Sequence, residues 1–332
     1  MLLKTPYLLF LGDAPDPLAA KVAQGVKDWR PEHALGQLRL PGCQADLGVP
    51  DLTLEEARAK GAETLVIGVA NRGGVISEAW IAVLLDALEA GFDLAAGLHN
   101  RLTDVPVLQA EADRLGRRLI DVRYPKEAYP IANGRKRSGK RLLPIGTDCS
   151  CGKMYTTLAL AREMQARGMT ATFRATGQTG IFIEGAGVPL DAVVADFIAG
   201  AIEHLSPDNA ADHWDLIEGQ GSLFHPSFAG VTAGLIHGAQ ADALVLCHEP
   251  TRTHMRGLPD YPIPSLAETM ELGQRMARLT NPAARFVGAA VNTAKLSEAE
   301  AAETLQRIEA EIGLPTVDPV RNGVGRLIDA LW

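Results

Sequence analysis

Aromatic residues make up only 5% of this 332-residue chain, and cysteine occurs four times. Four cysteines in so long a chain make no disulfide framework. Two of them, Cys149 and Cys151, are one residue apart, and a reducing cytoplasm is the expected setting. Long apolar runs are absent too: no stretch reaches the roughly 18 residues that a membrane span requires. The apolar start breaks at Gly12-Asp13 and Pro15 without a small-residue cleavage pattern, and is expected to be a first strand. Basic residues are outnumbered, with 32 Lys and Arg against 40 Asp and Glu for a net charge of -8. That balance excludes a protein built to coat a nucleic-acid backbone. A small acidic ligand remains compatible, because a pocket can be basic within an acidic whole. With 47% hydrophobic and 22% charged residues, the chain is neither disordered nor fibrous.

What is present is an α/β alternation. Short runs of Val, Ile and Leu that end in Gly or Asp predict strands over 7–11, 64–69, 94–96 and 118–121, with helices over 17–28, 54–60, 78–90 and 107–115. A second series follows, with strands over 142–145, 171–175, 216–217, 243–247 and 286–291 and helices over 296–313 and 324–331. Between the two lies 124–141, which carries Pro125, Pro130, Gly134 and Gly139 and a basic cluster of Arg135, Lys136, Arg137, Lys140 and Arg141. Its composition marks a boundary, and the chain is expected to divide into domains over 1–134 and 135–332.

The strongest motif opens the second half. Gly146, Thr147, Asp148, Cys149, Ser150, Cys151, Gly152, Lys153, Met154, Tyr155 and Thr156 follow a predicted strand and lead into a segment of helical Leu and Ala spacing. This is the pattern of a phosphate loop, whose backbone N–H groups meet an anion at a helix N-terminus while a Lys neutralises it. Two departures are evident. The two glycines stand one residue further apart than in the common form, and Met154 occupies the place where Ser or Thr would ligate Mg²⁺. Met offers no oxygen to a hard cation, so a metal-triphosphate role would need Thr156 or Thr157 to substitute.

The loop, with Glu218-Gly219-Gln220-Gly221 downstream, resembles dethiobiotin synthetase, and that resemblance implies Glu218 as a Mg²⁺ ligand. A nearer resemblance spans almost the whole chain. It rests on 68–74 (Gly-Val-Ala-Asn-Arg-Gly-Gly), 96–99 (Ala-Gly-Leu-His), 121–123 (Asp-Val-Arg), the phosphate loop, 175–180 (Ala-Thr-Gly-Gln-Thr-Gly), 218–221 and 248–250 (His-Glu-Pro). Together these are similar to a family with a Rossmann-like N-terminal domain and a P-loop NTPase-like C-terminal domain, some members of which are D-glutamate N-acetyltransferases. The resemblance implies an acyltransferase that uses acetyl-CoA on a small amino acid in D-amino-acid catabolism. Coenzyme A needs no divalent metal, which suits Met154; Mg²⁺ stays an open question at this point.

Acetyl transfer to an amine needs a base and cations for the substrate carboxylates. Asp148, Glu218, His225 and His248 fall at expected C-terminal strand ends, where open α/β sheets place ligands, and are candidates for the base, with Glu218 first. Asp148, inside the loop, is expected to bond loop amides. Arg252 and Arg256 could fork onto substrate carboxylates, and Asn71 and Arg72 could bind an anion beside the turn at 68–74. No Cys or His spacing matches a structural metal site, so none is expected. The basic cluster at 135–141 reads either as a solvated linker or as a contact for the coenzyme phosphates. Two rivals remain: an ATP-dependent ligase or carboxylase of the dethiobiotin synthetase kind, and a nucleotide-binding switch or metallochaperone-like protein. For the switch no N-K-x-D signature is present. A homo-oligomer with neither nucleic-acid nor membrane partners is expected.

Overall fold

A computed structural model describes residues 3–70, 76–125 and 128–332. The chain folds into two compact α/β units, each built on a wholly parallel sheet. The first comprises Met1–Lys126 together with Gly177–Ala192, and the second the rest.

In the first unit β1 (Tyr7–Gly12), α1 (Lys21–Trp29), β2 (Ala34–Arg39), α2 (Leu54–Ala59), β3 (Thr64–Ile67), α3 (Glu78–Glu89), β4 (Asp93–Ala96), α4 (Pro106–Leu115) and β5 (Leu119–Asp121) alternate. The sheet order is β2-β1-β3-β4-β5. β1, β3, β4 and β5 are buried along their whole length, which is why they read as continuous apolar runs rather than as alternating ones. β2 is hard to see in the sequence because Gly36 and Gln37 interrupt it. Gln37 is nevertheless buried, donating to Asp46 Oδ1 (2.9 Å) and accepting from Leu47 N–H (2.9 Å).

The second unit contains β6 (Lys140–Gly146), α5 (Lys153–Ala166) and β7 (Ala171–Arg174). The next helix, α6 (Gln178–Glu184), packs with the first unit against α1 and buries Ile181, Phe182 and Ile183. The second unit resumes with α7 (Ile198–Leu205), β8 (Trp214–Ile217), α8 (Ala229–Ala239), β9 (Ala243–His248), the hairpin β10 (His254–Met255) and β11 (Leu258–Pro262), α9 (Leu266–Ala277), β12 (Arg285–Val291), α10 (Glu298–Ile312), β13 (Thr316–Val317) and α11 (Gly325–Asp329). Both α9 and α10 open with a Ser-x-x-Glu box, Ser265 with Glu268 and Ser297 with Glu300, which satisfies N–H groups left over at a helix start. The sheet order is β13-β12-β9-β6-β8-β7. The chain leaves β6 toward β7 and β8 on one side and returns to β9 on the other. That reversal opens a crevice at the C-terminal end of β6.

The basic cluster divides: Arg135, Lys136 and Lys140 are exposed, whereas Arg137 and Arg141 turn inward. Arg137 and Arg141 are buried, 6% and 0% exposed. The Arg137 guanidinium donates to the carbonyls of Glu203 (3.1 Å) and Ser206 at the end of α7 and to Gly238 and Ala239 (3.4 Å) at the end of α8. Arg141 donates to Ser206 Oγ (2.9 Å) and to the carbonyls of Ser138 (3.0 Å) and Pro207 (2.9 Å). Orphan carbonyls and the negative end of the helix dipole attract a cation there. Lys140 and Arg141 begin β6 whereas the phosphate loop follows its end, and a seven-residue strand separates those ends by about 20 Å.

Candidate active site

Parallel pairing of β7, β8, β6 and β9 brings four strand ends to one edge of the sheet. Thr176, Glu218, the phosphate loop, and His248 with Glu249 therefore lie side by side. Gly146 must be glycine: a Cβ there would stand 2.6 Å from Cys151 Sγ and 2.7 Å from Lys153 Nζ. Lys153 is buried, and its ammonium donates to Asp148 O at 2.7 Å, inside the turn that the loop makes before α5. A fixed cation within a turn at a helix N-terminus is the arrangement that receives a phosphate.

The loop is braced from several sides. Asp148 is 1% exposed. One of its oxygens accepts the N–H of Cys149 (2.6 Å), as the sequence suggested. The other accepts from Arg252 Nη1 (2.7 Å) and from the N–H of Arg256 (2.9 Å). Thr147 Oγ1 lies 3.0 Å from His248 Nδ1, and its carbonyl accepts from Ser222 Oγ (3.1 Å). Burial pushes the His248 imidazole down to about 4, so it is neutral at pH 7. Cys151 is buried, with Sγ 3.1 Å from Asp148 O.

The metal-ligand position is where the loop departs from its common form. Thr156 and Thr157 are buried and donate their hydroxyls to the carbonyls four residues back, Gly152 (3.0 Å) and Lys153 (2.7 Å). Each hydroxyl thus commits its proton to the helix backbone. Asp148, Cys149 and His225 place one donor atom each within 4.8 Å of one another. Yet both carboxylate oxygens of Asp148 already accept from N–H groups, one of them from Arg252, and burial pushes the Cys149 thiol up to about 11. With its carboxylate already paired to Arg252, Asp148 and its two neighbours do not offer the set of oxygen ligands that Mg²⁺ asks for.

Glu218 follows β8 and is buried; its Oε2 accepts the N–H of Thr176 (2.8 Å) and its carbonyl accepts from Thr176 Oγ1 (2.7 Å). Gly219 lets this segment close on the loop, since a Cβ there would fall 2.1 Å from Pro144 O and 2.9 Å from Lys153 Cδ. His225 is buried, with Nε2 3.4 Å from Arg256 O and Nδ1 accepting from Ser227 N–H (3.2 Å). Arg252 turns its guanidinium onto the loop and Glu249, and Arg256, exposed, donates to Ser150 Oγ. Asn71 and Arg72 lie outside the described residues. Sequence reasoning missed Thr176 and Glu249 as site residues. The signal for each was faint: Thr176 sits in a Gly-rich stretch, and Glu249 stands three residues before Arg252.

Comparison with known proteins fits this geometry. Residues 38–125 match the Rossmann-like domain of unknown function DUF1611_N, and residues 130–328 match the P-loop domain of unknown function DUF1611_C. The chain belongs to the DUF1611 family. A crystal structure of a DUF1611 family protein from Anabaena variabilis is similar to it, with a TM-score of 0.88 and 35% identity over 98% of this chain and 99% of that one. Among curated relatives, a D-glutamate N-acetyltransferase from Tritonibacter scottomollicae is 65% identical over 330 residues, and one from Pseudoalteromonas sp is 48% identical over 328 residues. Each alignment covers 99% of both chains. The expected two-domain α/β architecture is thus present, with Rossmann-like and P-loop halves.

Proposed function

We propose that this DUF1611 protein transfers an acetyl group from acetyl-CoA to the α-amine of D-glutamate. The observation that carries the reading is full-length identity of 65% to a D-glutamate N-acetyltransferase. The site supports the choice of donor: the loop keeps a buried Lys153 at the start of α5 but carries Met154 in the place of the usual metal-binding hydroxyl. A pyrophosphate can be held by N–H groups and a lysine without a divalent ion, whereas phosphoryl transfer from ATP relies on Mg²⁺.

Glu218 is the base that takes the ammonium proton. Its rival His248 has its Nδ1 turned onto Thr147 Oγ1 at 3.0 Å. His225 braces the carbonyl of Arg256, whose exposed guanidinium supplies a cation for the substrate carboxylates. The four cysteines are free thiols, which suits a cytoplasmic setting.

Purified protein incubated with acetyl-CoA and a panel of D- and L-amino acids tests the reading through thiol release. Release that requires D-glutamate is expected. No release with any amine, or ATP hydrolysis in step with product formation, overturns it.

A further inference from the structure

The segment that follows β9 holds more of the phosphate loop than a surface loop needs to. Arg252 Nη1 donates to Asp148 Oδ2 (2.7 Å) and to Cys149 O (2.6 Å), its Nη2 donates to Ser150 O (2.8 Å), and its Nε donates to Glu249 Oε2 (2.7 Å). One planar guanidinium thus grips three consecutive loop residues and two buried carboxylates. Glu249 is anchored in turn by the N–H of Thr251 (3.1 Å) and by Lys295 Nζ (3.4 Å). Ser150 needs holding, because its φ of +52° is a left-handed conformation that a non-glycine residue adopts at a cost.

The grip has a directional consequence. In a trans peptide the C=O and the following N–H point in opposite directions. Cys149 O and Ser150 O aim at Arg252, so the N–H groups of Ser150 and Cys151 aim away from it. These are donors an anion would use in a loop of this kind.

We propose that Arg252 is a positioning residue for the phosphate loop, setting its peptide planes through Asp148, Cys149 and Ser150, and that it does not grip the carboxylates of the amino-acid substrate. The proposal rests on the reading that this loop holds acetyl-CoA.

Steady-state kinetics on the intact enzyme test it, with KM measured separately for acetyl-CoA and D-glutamate in Lys153→Ala, Arg252→Lys, Asp148→Asn and the double variant of the last two. Arg252→Lys keeps the charge but loses the fork. It should raise KM for acetyl-CoA about tenfold or more and leave KM for D-glutamate within about twofold. The double variant should be little worse than the poorer single one, because the two residues act through one network. A rise confined to KM for D-glutamate, or strictly additive effects, overturns the proposal. If Lys153→Ala weakens acetyl-CoA binding while Arg252→Lys does not, this inference alone fails. If neither does, the loop assignment fails and takes the inference with it.

Discussion

Burial holds the His248 imidazole neutral, at about 4 against the usual 6.5, with Nδ1 3.0 Å from Thr147 Oγ1. The folded protein resists protonating this group and the unfolded chain does not. The stabilisation is therefore complete above pH 6.5, declines as pH falls toward 4, and changes no further below that. The loss between pH 7 and 4.5 should be about 2–3 kcal/mol. Urea unfolding of the wild type and of His248→Asn at both pH values checks this: the variant should lose less on acidification, and an equal loss would refute the assignment. Glu249 titrates in a different window. Burial pushes its carboxyl up, but hydrogen bonds from Thr251 and Arg252 and the nearby Lys295 outweigh that and hold it below the usual carboxylate range. Its contribution is lost only at still lower pH, as pH falls through that depressed value. At this scale the sequence was partly legible. Asp148 was read as a carboxylate bonding its own loop amides, because that partner is local. The bonds from Arg252 to the loop were not legible, because those partners come from another strand end 102 to 104 residues away.

Helix ends explain why Arg137 turns inward from the basic cluster. Arg137 bridges the last carbonyls of α7 and α8, and burial, reinforced by neighbouring Arg141, pushes its pKa down to about 10, leaving it charged at pH 7. Removing it orphans several buried carbonyls at once, so Arg137→Ala should destabilise the protein by about 3–5 kcal/mol. Arg135, two residues earlier, is exposed and pairs with Asp208 at 2.8 Å; Arg135→Ala should change stability by no more than about 1 kcal/mol. Thermal or urea unfolding of the two variants separates them, and similar losses would contradict the capping role. Nothing in five basic residues among seven says which of them turn inward. That choice was made by where two helices, distant in sequence, end.

Across the whole molecule, the departure from chain order is α6. Its Ile181, Phe182 and Ile183 are buried in the first unit, Tyr7 Oη donates to Phe182 O (3.2 Å), and Leu3 N–H donates to Gly185 O (3.3 Å). Burying three such side chains is worth roughly 5–9 kcal/mol, comparable with the full stability of a domain at about 5–15 kcal/mol. A fragment of residues 1–126 should therefore lack a cooperative unfolding transition. Joining 177–192 to it through a short flexible linker should restore one, as followed by circular dichroism during urea titration; a cooperative transition in the shorter fragment would count against this. Read alone, the sequence determines the α/β class, the two halves and the phosphate loop with its missing metal hydroxyl, because each is written in residues close together along the chain. Only the tertiary structure decided that Arg252 grips the loop, that Arg137 caps two helices while Arg141 is buried, and that α6 packs with the first unit. Those outcomes depend on which distant strand ends and helix ends meet, and residue spacing along a chain carries no record of that.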